Sequence, residues 1–131
     1  MNQLVTEIKH ALQPVFRKYP DEILFCYCFG SYAANETTAT SDVDLAFYLK
    51  PNENSFDFKL ALRADISRSI KRNDVDLLIL NDLKNLILAE EIIRKGSLLY
   101  ETDRDAREDY EVKIIHNAID FRAQRKAIMG F

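Results

Sequence analysis

Leu4, Ile8, Leu12 and Val15-Phe16 recur at helical spacing, which predicts a helix from residue 2 to about 18, kinked or interrupted near Pro14. Pro20-Asp21 reads as a turn. Ile23 to Phe29 (ILFCYCF) is a short continuous apolar run, the signature of a buried strand, and Gly30 ends it. Asp42 to Leu49 (DVDLAFYL) predicts a second strand, closed by Lys50-Pro51-Asn52. Phe58, Leu62, Ile66 and Ile70 stand four apart, so residues 54–71 read as a helix with Asn54 or Ser55 as its cap. Asp74 to Leu80 (DVDLLIL) predicts a third strand. A helix capped by Asn81 or Asp82 follows, carrying Leu83, Leu86, Ile87, Glu90 and Ile93 and stopped by Gly96. Ser97 to Tyr100 fits a short edge strand. Thr102-x-x-Asp105 resembles a capping box opening a last helix that reaches Ile128.

The predicted order is helix, strand, strand, helix, strand, helix, strand, helix, which is an α/β (α+β) domain with one small mixed sheet flanked by helices. One local echo stands out. Ser41-Asp-Val-Asp-Leu45 returns as Asn73-Asp-Val-Asp-Leu77, 32 residues later. Two copies make no solenoid; they read as two strands entering the sheet with the same local chemistry.

Composition narrows the picture further. The 131 residues suit a single domain spanning 1–131, and 47% hydrophobic with 30% charged residues suits a real core under a hydrated surface. No run approaches the roughly 18–20 apolar residues of a membrane span, and the start of the chain has no signal-peptide pattern, so a cytoplasmic location is expected. A net charge of −3 argues against a broad nucleic-acid surface. Cys26 and Cys28 share one strand face and read as small apolar side chains rather than metal ligands. His10 and His116 read as surface or packing residues.

The chemistry lies in the acids. Asp42 and Asp44 project to one side of a strand while Val43 and Leu45 project to the other. Facing carboxylates repel unless something positive lies between them. If the third strand brings Asp76 alongside, three acids form an all-oxygen nest suited to Mg²⁺ or Mn²⁺, ions that retain water and take substrate phosphates as further ligands. Two such ions can activate an attacking oxygen and screen a triphosphate. Asp74 shares the strand face of Asp76 and rivals it, but Asp76 stands inside the strand. Gly30-Ser31 fits the other half of a phosphate site. A glycine after a strand lets backbone approach a ligand closely, and a short helix opening at Ser31-Tyr32-Ala33-Ala34 offers N–H groups and a hydroxyl to phosphate oxygens. Tyr32 packs near a base or simply covers the turn.

Gly30-Ser31, ten residues, then Asp42-Val43-Asp44 resembles the G-S-x10-D-x-D signature of the nucleotidyltransferase superfamily that includes DNA polymerase beta. The wording FGSYA…SDVDL in so short a chain is similar to the minimal nucleotidyltransferases (MNT proteins), and EDYEVKIIHNAIDFRAQR is similar to the terminal helix of MntA-type antitoxins that pair with HEPN-domain toxins. The resemblance implies a nucleotidyltransferase fold. It implies Asp42, Asp44 and Asp76 as catalytic metal ligands, with Asp76 helping to activate the attacking hydroxyl, and Gly30 and Ser31 as phosphate-binding residues. The implied reaction moves AMP from ATP to a tyrosine of the cognate toxin with Mg²⁺, neutralising it. The implied partners are that toxin, in a hetero-oligomer, and ATP, with no direct nucleic-acid binding and no membrane. The chain lacks the R-x4-H-x-Y pattern of the toxin itself. Alternatives are a non-catalytic antitoxin that occludes its toxin, and a small-molecule nucleotidyltransferase of the aminoglycoside-modifying kind.

Many relatives read G-S-Y-A-R-G where this chain has Ala34 and Asn35, so an arginine and a flexible glycine are missing. The last helix is also distinctive. From Asp103 to Ile128 it extends about 40 Å at about 1.5 Å per residue, farther than a small sheet is wide. Its band of Tyr110, Ile114, Ile115, Ala118, Ile119 and Phe121 is expected to cover the sheet in part and to offer the remainder to a partner protein. Arg122 to Lys126 reads as a solvated basic helix end or a contact for an acidic surface.

Overall fold

In the computed structural model, which describes residues 2–38, 41–52 and 55–129, the first helical stretch is interrupted near Pro14 as its pattern predicts. Helix α1 (Gln3–Ala11) and helix α2 (Gln13–Lys18) are separated at Leu12, with Pro14 in the first turn of α2, where a missing N–H costs little. Strand β1 (Ile23–Phe29), helix α3 (Gly30–Ala34), strand β2 (Val43–Leu49), helix α4 (Phe56–Ile70) and strand β3 (Val75–Ile79) follow. Helix α5 (Leu86–Lys95), strand β4 (Ser97–Glu101) and helix α6 (Arg104–Met129) complete the chain. The sheet order is β3-β2-β1-β4, with β1 antiparallel to both β2 and β4 and β2 parallel to β3. This is the expected mixed sheet, with β4 at an edge.

Alternation along the strands sends side chains to two cores. Cys26, Cys28, Val43, Leu45, Phe47 and Val75 pack with Val5, Leu12, Phe16, Leu62 and Ile66 from α1, α2 and α4. Phe25, Tyr27 and Ala46 face the other way, towards Leu80, Ile92 and Tyr110. The two cysteines are therefore buried small hydrophobes. Burial, then the neighbouring Cys28, raises the Cys26 thiol, while burial, then the Asp44 charge, pushes the Cys28 thiol up to about 12.

Three helix starts differ from expectation or sharpen it. Asn85 caps α5, its side chain accepting from the Leu88 N–H at 3.1 Å. Asn81 is used elsewhere. It donates to the Leu49 carbonyl and accepts from the Leu49 N–H, both at 2.8 Å, thus completing the β2 ladder just past the end of β3, while residues 80–82 form one turn of 3-10 helix. Asp103 caps α6 by accepting from the Ala106 N–H at 2.9 Å, and Thr102 instead donates its hydroxyl to the Ile23 carbonyl. Ser55 caps α4; Asn54 lies outside the described residues.

Helix α6 has 26 residues and so runs about 39 Å. Ile114 and Ala118 bury against the rest of the protein, whereas Val112, Ile119, Phe121 and Ile128 stay exposed. Two ionic networks hold it. Arg107 bonds Glu101 and Glu111, and Glu111 accepts from the Tyr27 hydroxyl at 2.5 Å. Further along, Arg122 pairs with Glu90 on α5, a carboxylate only 5% exposed.

Candidate functional site

The Asp-Val-Asp echo is the register of the parallel pair. Val43 lies opposite Val75, Asp44 opposite Asp76 and Leu45 opposite Leu77, each pair 32 residues apart. Valine and leucine point into the α4 side of the sheet. The alternating positions, Asp44 and Asp76, therefore share the opposite face, the one that also carries Ala46. Asp42 differs from expectation in one respect: β2 begins at Val43, so Asp42 sits exposed on the loop one residue before the strand.

Asp44 is the half-buried member of the group. Burial foremost, then the charges of Asp76 and of Asp42, pushes its carboxyl above the ordinary range. Gly30 completes this arrangement. Its φ is +72°, in the left-handed region, and a Cβ there would collide with Oδ2 of Asp44. The turn after β1 needs glycine both for its backbone conformation and for the space the carboxylate occupies. Ser31 is half-buried in the first turn of α3 and lines a cavity of about 590 Å³ with Gly30, Ala34, Leu88 and Lys95. Asn35 ends α3 in the left-handed region at φ 58°, ψ 39°, which asparagine tolerates.

Asp74, the rival acid, is already taken. Arg72 grips it through both carboxylate oxygens, and these bonds hold its carboxyl below the usual range. The same guanidinium donates to the Tyr32 hydroxyl and to the Ser41 carbonyl, the latter at 3.0 Å. Tyr32 thus covers the turn and packs against the α1–α4 core. Nothing in the linear pattern singled out Arg72; the only hint was a cation two residues ahead of an aspartate. His10 and His116 are exposed on α1 and α6.

The donor set is oxygen only, and a facing carboxylate pair is relieved by a hard divalent cation. In that respect the residues fit Mg²⁺ or Mn²⁺. As the side chains stand, no three histidine, cysteine or carboxylate groups among the described residues close into a coordination sphere.

A mixed four-stranded sheet with flanking helices, facing acids on adjacent parallel strands and a glycine turn pressed against one of them defines a nucleotidyltransferase fold. The chain belongs to the polymerase beta nucleotidyltransferase family, whose model matches residues 10–105. No curated protein sequence matches it significantly. Among solved structures, a chain of a toxin–antitoxin with AMP-PNP superposes with a TM-score of 0.75 at 23% identity, over 93% of this chain and 95% of that one. A chain from the complex of a tri-AMPylated Shewanella oneidensis HEPN toxin with its MNT antitoxin gives 0.70 at 21% identity, over 96% of each. A putative nucleotidyltransferase from Sulfolobus solfataricus gives 0.50 at 22%, over 78% and 84%. At these identities the likeness establishes the fold.

Proposed function

We propose that this protein is an antitoxin that transfers AMP from ATP to a tyrosine hydroxyl of a HEPN-domain ribonuclease toxin and so silences it. The observation that carries the reading is the in-register pair Asp44–Asp76 with Gly30 pressed against Asp44. The fold shared end to end with chains of toxin–antitoxin complexes, one holding AMP-PNP and one a tri-AMPylated toxin, supports the choice of substrate and partner.

In this reading Ser31 and the backbone at Gly30 hold phosphate oxygens of ATP. Asp42, Asp44 and Asp76 would hold Mg²⁺ or Mn²⁺, which when bound screens the triphosphate and lowers the pKa of an attacking oxygen. The tyrosine oxygen attacks the α-phosphorus in line and its proton passes to Asp76, the exposed acid of the facing pair. The bond from the α-phosphorus to its bridging oxygen breaks, and pyrophosphate leaves with the bonding electrons. The half-buried Asp44 would hold the cation on the sheet face that it shares with Asp76. The thiols of Cys26 and Cys28, buried and neutral, offer no competing nucleophile.

The test is mass spectrometry of a HEPN protein encoded beside this chain after incubation with ATP and Mg²⁺. The expected result is a gain of one or more AMP units on tyrosine, lost with Asp44→Asn while the variant's melting temperature holds. An unmodified toxin that is still neutralised would replace this reading with occlusion alone. Label on an aminoglycoside rather than on protein would replace it with small-molecule transfer.

A further inference from the structure

Arg72 ties the stretch around Tyr32 and Ser41 to the start of β3, more than 30 residues further along the chain. Its Nε donates to Asp74 at 2.7 Å and one terminal nitrogen donates both to the second Asp74 oxygen and to the Ser41 carbonyl, the latter at 3.0 Å. The other terminal nitrogen bonds the Tyr32 hydroxyl, and the guanidinium carbon lies 5.5 Å from the centroid of the Tyr32 ring. Tyr32 belongs to the short helix that carries Ser31, Ser41 immediately precedes Asp42, and Asp74 is two residues before Asp76. Ser31, Asp42 and Asp76 therefore each stand one residue or two from an arm of this guanidinium. The backbone adds a fourth link, since the Val43 N–H bonds the Asp74 carbonyl at 3.0 Å.

We infer that Arg72 is a positioning residue for nucleotidyl transfer: it sets the spacing between the Ser31 turn, the Asp42 loop and the Asp76 strand, and it neutralises Asp74 so that three acids rather than four face the bound cation. The inference rests on the reading of the site given above for Asp42, Asp44 and Asp76. Planarity is what suits arginine to this place. Five N–H groups in a rigid fork reach a carboxylate, a carbonyl and a phenol at once, which a lysine ammonium on a flexible stem cannot do. Displacing reacting groups by about 1 Å costs on the order of 100-fold in rate, so loosening one tether acts on chemistry well before it unfolds the sheet.

The experiment compares wild type with Arg72→Ala, Arg72→Lys, the milder Tyr32→Phe and the double variant Arg72→Ala/Asp74→Ala. Three readouts are taken well below the melting temperature: amide hydrogen exchange, Mn²⁺ binding by paramagnetic resonance, and AMP transfer to the toxin. Arg72→Ala is expected to speed exchange at residues 31–35 and 41–44 while β1 and α5 stay protected, to weaken Mn²⁺ binding about tenfold, and to lower kcat roughly 100-fold with a smaller change in KM for ATP. Arg72→Lys should not restore kcat, and Tyr32→Phe should fall between. The double variant should bind Mn²⁺ no better than Arg72→Ala, because the tether is still missing and the charge of Asp74 no longer draws the cation, and it should not regain the exchange protection. Unaltered exchange at both segments together with unaltered Mn²⁺ binding in Arg72→Ala would overturn the inference. If wild type binds Mn²⁺ but transfers no AMP, the proposed function fails by itself, and exchange and Mn²⁺ binding still decide the role of Arg72.

Discussion

Gly30 stands at the one point where backbone conformation and site chemistry cannot be separated. A side chain there meets two penalties, a φ of +72° that L-residues disfavour and the Asp44 carboxylate in the space a Cβ would take. Gly30→Ala is therefore expected to cost about 1–2 kcal/mol of stability, read from urea unfolding, and to lower AMP transfer by more than that stability loss explains, because Asp44 must move. Asn35 shows the opposite case. It already occupies the left-handed region at the end of α3, so Asn35→Gly should change the urea midpoint by no more than a few tenths of a kcal/mol. Asn35 therefore supplies the left-handed end of α3 without a glycine.

Elements were legible where local pattern decides them. The apolar runs marked β1, β2 and β3, and the repeated Asp-Val-Asp marked two strands with the same local chemistry; that they pair in register, carrying matching residues to matching faces, came from the structure. What stayed hidden depends on contacts across the fold. Asn81 has every local qualification for a helix cap, yet it completes the ladder of β2 because β3 ends at Ile79, short of the position opposite Leu49. The α5–α6 clasp is another such contact. Glu90 is held at about 2, against an ordinary 4.5, by hydrogen bonds from Arg122 foremost and also by Arg94. A carboxyl lowered in the folded state adds stability that is complete above pH 4.5 and fades as pH falls towards about 2. Glu90→Gln should therefore flatten the acid limb of stability between pH 5 and pH 2 by up to about one proton, as measured by urea midpoints across that range. An acid limb as steep as that of wild type would show that the clasp does not hold α6 down in solution.

At the scale of the whole molecule, α6 does two things along one length. Its stretch up to Ala118 is part of the fold: Ile114 and Ala118 are buried and Arg107 ties it to β4. Beyond Arg122 every described side chain is exposed, and Val112 and Ile119, two turns apart, add an apolar strip that the domain does not cover. The two parts should respond differently to removal. A chain ending near Asp109 loses Ile114 and Ala118 and should not fold stably, so it says nothing about a partner. A chain ending after Arg122 keeps the buried residues and the Glu90 pair, and should melt within a few degrees of the full chain. The double variant Val112→Asp/Ile119→Asp should likewise keep the fold, since both side chains are about half exposed (53% and 54%), while introducing charge where an apolar partner surface would dock. If this strip meets the toxin, the double variant weakens toxin binding at least tenfold in calorimetry, and AMP transfer at saturating toxin stays near normal because the acids are untouched. Binding unchanged in both the shortened chain and the double variant would move the interface to another face of the sheet and leave α6 as a structural strut.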